Sequence, residues 1–160
     1  MKWGSCFRFQ VSGFRFQEEN KDTIQYLNIY AMATIKSFED LEIWKEARQL
    51  AKEIYVISNE TALKTDFRFK EQIKAASGSI MDNIAEGFER DGTIEFRQFL
   101  SIAKGSAGET RSQIYRLFDY EYISEERFIA LKNICETLSG KIKNFITYLN
   151  KKDFKGNKFQ

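Results

Sequence analysis

The chain has 160 residues, 42% of them apolar and 15% aromatic, which is enough for one domain with a packed core. Charged residues make up 30% but nearly cancel, to a formal net charge of +2, so overall charge selects no class of partner and only a local patch can do so. There is no histidine, which removes the usual general base near neutral pH and the commonest transition-metal ligand; there is also no proline, which suits uninterrupted helices.

Residues 1–31 stand apart from the rest. Phe7-Arg8-Phe9-Gln10 and Phe14-Arg15-Phe16-Gln17 flank Ser12-Gly13, and this alternation predicts a short β-hairpin. An isolated two-stranded hairpin is marginal in water, so the segment reads as a weakly ordered N-terminal extension, with Met32 as an alternative start. Its aromatics alternate with Arg and Gln and so do not make a signal peptide. No run approaches the roughly 18 apolar residues of a membrane helix, and a cytoplasmic location is expected. Cys6 and Cys135 lie far apart, and Cys135 falls in an apolar helical pattern where a reduced, buried thiol is expected.

From Ser37 the pattern is helical. The first helix is expected to be capped by Ser37, to carry Glu39 and Asp40 at its positive end and to run to about Ile57, with Leu41, Trp44, Ala47, Ala51, Ile54 and Tyr55 as its apolar stripe. The second begins near Asp66, buries Phe69, Ile73, Ala76, Ile80 and Ile84, and ends with Gly87 as a left-handed cap. After the Asp91-Gly92 turn, Thr93 caps a third helix whose core face is Phe96, Phe99, Leu100, Ala103, Ala107, Thr110, Ile114 and Leu117. Ser124 caps the fourth, where Phe128, Leu131, Cys135, Leu138, Ile142, Phe145 and Leu149 keep a heptad seam. The fold class predicted is all-α: an antiparallel up-and-down four-helix bundle over residues 37–150, followed by a basic tail over 151–160.

Catalytic and metal-binding readings find little support. A di-iron bundle needs Glu-x-x-His, and a zinc site would rest on two remote cysteines. Glu71, Asp82, Glu86 and Glu109 lack the dense spacing of a magnesium site built from carboxylates, so neither a metal nor a cofactor is expected. Ser77-Gly78-Ser79 and Gly105-Ser106-Ala107-Gly108 fall inside helices without strand-loop-helix context, so close helix packing explains them better than phosphate binding. That places a polar seam of Asn83, Glu86, Gly87, Gly105, Ser106 and Glu109 between the second and third helices, with Asn83 bridging backbone and Glu86 taking amides or Arg90.

Two cationic groups stand out. Arg97, Lys104 and Arg111 repeat every seven residues along the third helix. Lys141, Lys143, Lys151, Lys152, Lys155 and Lys158 crowd the C-terminus against Asp153 alone, interleaved with Phe145, Tyr148, Phe154 and Phe159.

The motifs Phe38-x-x-Leu41-x-x-Trp44-x-x-Ala47, Gln72-Ile73-x-Ala75-Ala76, Ser79-Ile80-x-x-Asn83-Ile84-Ala85-Glu86-Gly87 and Phe99-Leu100-x-Ile102-Ala103-x-Gly105-Ser106, with Glu109, occur in order across three helices. In them the chain resembles a family of small bacterial four-helix bundles encoded in intervening sequences of large-subunit ribosomal RNA genes, related to the accessory protein of diversity-generating retroelements. The resemblance implies a homo-oligomer, commonly a pentamer, without an assigned enzymatic activity; its retroelement relatives bind nucleic acid and a reverse transcriptase through basic surfaces. Residues 1–31 have no counterpart in that pattern. The function expected is therefore a non-enzymatic oligomeric bundle binding nucleic acid, RNA ahead of DNA, through Arg97, Lys104, Arg111 and the C-terminal lysines. The alternative is a protein-interaction scaffold, for example for a reverse transcriptase.

Overall fold

The computed structural model describes residues 35–90 and 92–156, and of residues 152–156 only the helical backbone. The expected hairpin over 1–31 and residue Asp91 lie outside the described residues. The helices belong to one unit, Lys36–Gln160: α1 (Glu42–Glu60), α2 (Phe67–Glu89), α3 (Thr93–Asp119) and α4 (Glu125–Gly156), with short 3-10 turns at Phe38–Asp40 and Ala62–Thr65. Among the described residues there is no strand.

Cross-helix contacts set the arrangement of the helices. Arg97 meets Asn150 and Arg111 meets Glu136, so α3 and α4 run antiparallel; Ser79 meets Ser106 and Gly87 faces Phe99, so α2 and α3 do too; and Glu46 meets Lys141, which sets α1 beside α4. The core is aliphatic: Leu50, Ile54 and Ile57 of α1, Ile73, Ile80 and Ile84 of α2, Leu100, Ile114 and Leu117 of α3, and Leu138 and Ile142 of α4 are fully buried. Removing such side chains from water is the main favourable term of the fold.

The ends of the helices depart from the sequence reading. At Ser37 the carboxylate of Asp40 accepts from the amides of Lys36 (2.9 Å) and Ser37 (3.2 Å), which holds that carboxyl below its ordinary pKa. The α-helix proper starts only at Glu42 and continues past Ile57 to Glu60. Tyr55, expected in the core stripe, is 59% exposed, because the buried face runs through Ile43, Ala47, Leu50, Ile54 and Ile57 instead. Asp66 caps α2 as expected, its carboxylate accepting from Phe69 N (3.1 Å), and Ser124 Oγ accepts from Arg127 N (3.3 Å) at the start of α4. Thr93 is already helical; the residue before α3 is Gly92, with no side-chain cap. Finally, α4 continues to Gly156, so the segment expected to be a tail is helical to that point. Its one internal glycine before Gly156, Gly140, stays helical and exposed, no proline falls within it, and its lysines complement the negative helix end.

Gly87 is not a cap. It lies inside α2, which ends at Glu89. A β carbon there would stand 2.5 Å from Phe99 Cβ and 3.1 Å from Phe96 Cδ2, so the glycine is what lets the backbones of α2 and α3 approach.

Candidate nucleic-acid interface

The polar seam between α2 and α3 is smaller than the sequence suggests. Asn83 Nδ2 donates to Ser79 O (2.7 Å) and to Ser79 Oγ (2.9 Å), and Ser79 Oγ shares a 3.0 Å hydrogen bond with Ser106 Oγ on α3. These three side chains satisfy one another. Glu86 lies outside, half exposed and paired with Arg90, and Glu109 accepts from Gln113 Nε2 (3.0 Å) one turn along its own helix. Close packing does not explain the other glycines: nothing lies within 4 Å of a β carbon built on Gly105 or Gly108, and Gly78 meets only Asp82 at 3.9 Å. Small residues along a helix signal close approach only when their face points at a neighbour, and the face holding Gly105 and Gly108 points outward.

The acidic residues weighed as a magnesium site do not converge. Glu71 pairs with Lys74 and Glu86 with Arg90, and among the described residues no group of three or more metal-ligating side chains comes together.

The heptad-spaced cations of α3 all line its edge with α4. Arg97 Nη1 donates to Asn150 Oδ1 (2.7 Å), and Arg111 Nη1 lies 3.5 Å from Glu136 Oε1, which Lys132 also approaches at 3.8 Å. Both pairs keep one antiparallel register, since Arg97 and Arg111 on α3 are separated by the same number of residues as Glu136 and Asn150 on α4. Midway, the same register sets Lys104 opposite Lys143. Neither lysine makes an ion pair among the described residues. The edge therefore carries two like charges between two anchored pairs. Lys141, by contrast, is held by Glu46 on the α1 side. Lys151 is exposed, while Lys152 and Lys155 lie on the helical extension of α4, where only the backbone is described.

One further cationic group lies on α1, away from these two. Lys45, Arg48 and Lys52 are exposed on α1, and the signal was present as three cations at steps of three and four residues.

The fold and this edge define a class: an antiparallel four-helix bundle whose distinctive chemistry is surface charge. A family model for the 23S rRNA-intervening sequence protein matches residues 39–144, and the chain belongs to that family. A crystal structure of a protein of unknown function from the S23 ribosomal protein family of Bacteroides thetaiotaomicron superposes with a TM-score of 0.61 at 23% identity, covering 66% of this chain and 95% of that one. At that identity the likeness concerns the fold. No curated protein matches the chain. Among the described residues no helix is long and apolar enough to cross a membrane.

Proposed function

We propose that this chain is a non-enzymatic, self-associating helical bundle of the cytoplasm that binds nucleic acid, RNA ahead of DNA, along the edge between α3 and α4 and the C-terminal lysines. The observation that carries the reading is the Lys104 and Lys143 position. Two ammonium groups set opposite each other repel, and a phosphate between them converts that repulsion into two attractions. Arg97 and Arg111, each tied to α4, bracket the spot and hold the two helices at fixed separation. Nothing on this edge reads bases, so affinity is phosphate-led and any selectivity comes from RNA shape or from a partner.

The test is binding of a structured RNA across a salt series, with light scattering to follow mass. The wild-type chain is expected to take up RNA at low salt and release it at high salt. The double variant K104E/K143E is expected to bind more weakly, with a log affinity against log salt slope shallower by about 2, as loss of two phosphate contacts requires. Indifference to RNA at low salt would overturn the nucleic-acid reading, and a monomeric mass would overturn the self-association.

A second reading is a scaffold or accessory subunit, for example for a reverse transcriptase, with no nucleic-acid affinity of its own. It is favoured by the outward face of α3, where Ile94 is 60% and Ile102 52% exposed beside the open Gly105 and Gly108. Exposed isoleucines next to helical glycines make a face that another helix can approach closely. Oligomerisation through that face and RNA binding on the α3–α4 edge are compatible.

A further inference from the structure

Helix α1 is divided by charge along its length. The helical period gathers Glu42, Glu46, Glu53 and Glu60 on one flank, which is the flank turned toward α4, where Glu46 takes Lys141. Lys45, Arg48 and Lys52 fall on the other side. A solvated helix face ordinarily mixes signs, so that each cation finds a carboxylate three or four residues away. Here the only acid at those distances from any of the three is Glu42, beside Lys45. Arg48 instead has Lys45 three residues before it and Lys52 four after it, so like charges stack along one ridge.

All three side chains are exposed, and none makes an ion pair among the described residues. The Arg48 guanidinium carbon lies 5.8 Å from the centroid of the Trp44 ring, within cation–π range, which orients the group without neutralising it. One turn beyond Lys52 on the same flank, Tyr55 presents a ring that is 59% exposed. Nothing in the packing of this chain uses these four side chains together.

We propose that Lys45, Arg48, Lys52 and Tyr55 form a contact site for single-stranded RNA, with the three cations on successive phosphates and Tyr55 stacked on an unpaired base. The inference deepens the proposed function and rests on that reading, since it adds a second RNA surface on a different helix from the α3–α4 edge. The spacing suits the ligand. Seven residues of helix carry the cations over about 10 Å, a cationic track short enough for a few nucleotides of a flexible single strand to follow. An exposed aromatic at the end of a cationic track is how proteins hold single strands without reading sequence.

The experiment measures anisotropy of a labelled short oligouridylate and, separately, of a structured RNA, over a salt series with the full chain. Helix content is followed by circular dichroism; the substituted side chains are exposed, so the bundle is expected to stay folded. For K45Q/R48Q/K52Q the oligouridylate slope is expected to become shallower by about 2, the loss of three single-strand contacts. Tyr55→Ala is expected to weaken binding about tenfold with the slope unchanged, as loss of stacking does. If the triple variant keeps the wild-type slope, or the wild-type chain binds structured RNA but ignores oligouridylate, the inference is overturned while the α3–α4 edge reading stands. If the triple variant leaves RNA binding intact and lowers the mass in light scattering, the ridge joins copies of the chain, and the inference is again overturned. If the wild-type chain binds neither RNA, the proposed function and this inference fall together.

Discussion

Gly87 of α2 faces Phe99 of α3 so closely that a β carbon on the glycine would come within 2.5 Å of the phenylalanine Cβ. The atom it would strike is fixed to the backbone, so relief requires the two helices to move apart rather than a side chain to swing away. Gly87→Ala removes a helix-propensity penalty of about 1 kcal/mol but introduces overpacking that costs about 1–3 kcal/mol. The net expectation is a destabilisation of up to about 2 kcal/mol, read as a lower urea midpoint. Gly105→Ala and Gly108→Ala meet open space and should each stabilise the isolated chain by up to about 1 kcal/mol. A Gly87→Ala protein as stable as wild type would show that the approach of the helices is not fixed there.

The Ser79, Asn83 and Ser106 network ties the same two helices a few turns further on. Asn83→Ala removes a donor to both the backbone and the hydroxyl of Ser79 and is expected to cost about 1 kcal/mol. Ser79→Ala and Ser106→Ala each remove one side of the 3.0 Å contact, so their effects should be less than additive, with a coupling of at least about 0.5 kcal/mol in a double-mutant cycle. Strict additivity would mean that the two hydroxyls do not interact in solution.

The core of this fold was legible because burial follows the period of the helix. The α3 stripe from Leu100 to Leu117 and the α4 seam from Leu131 to Leu149 are buried much as their spacing required. Helix ends were harder to read. Gly87 carried the signature of a left-handed cap, yet the approach of Phe99 from another helix explains it, and that approach belongs to tertiary structure. Of the candidate site, the α3 cations were legible from their heptad spacing, but their pairing with Asn150 and Glu136 depended on the register of α4. Glu86 and Glu109 looked buried from their neighbours, although each lies far enough round its helix to reach water.

The turn after α3 is closed by a residue type that the sequence did not mark. Glu121 sits at φ 58°, while Tyr122 N donates to Leu117 O (2.8 Å) and Glu121 N to Phe118 O (2.9 Å). This is the hydrogen-bond pattern of a Schellman cap, which ordinarily holds glycine at the left-handed position. A side chain there costs about 1–2 kcal/mol, partly offset by the greater entropy that glycine loses on folding. Glu121→Gly is therefore expected to raise stability by about 0.5–1 kcal/mol with no change in helix content. A lower melting temperature for this variant would refute the strain assigned to Glu121.

Cys135 makes stability depend on pH at the alkaline end. Its side chain is 1% exposed, and burial, the main cause, pushes its thiol pKa from 9.0 up to about 12, opposed by the charge of Arg111. Because the folded value is raised, the unfolded chain loses its proton first as pH rises. The stabilising contribution is complete below pH 9 and declines between pH 9 and 12, at up to about 1.4 kcal/mol per pH unit. Urea midpoints should therefore fall more steeply from pH 8 to 10 for the wild-type chain than for Cys135→Ala, which has no thiol to titrate. The same burial should leave Cys135 unreactive toward a thiol reagent at pH 8 until urea unfolds the bundle. Parallel pH dependence in the two proteins, together with rapid labelling of the native thiol, would show that Cys135 is reached by water.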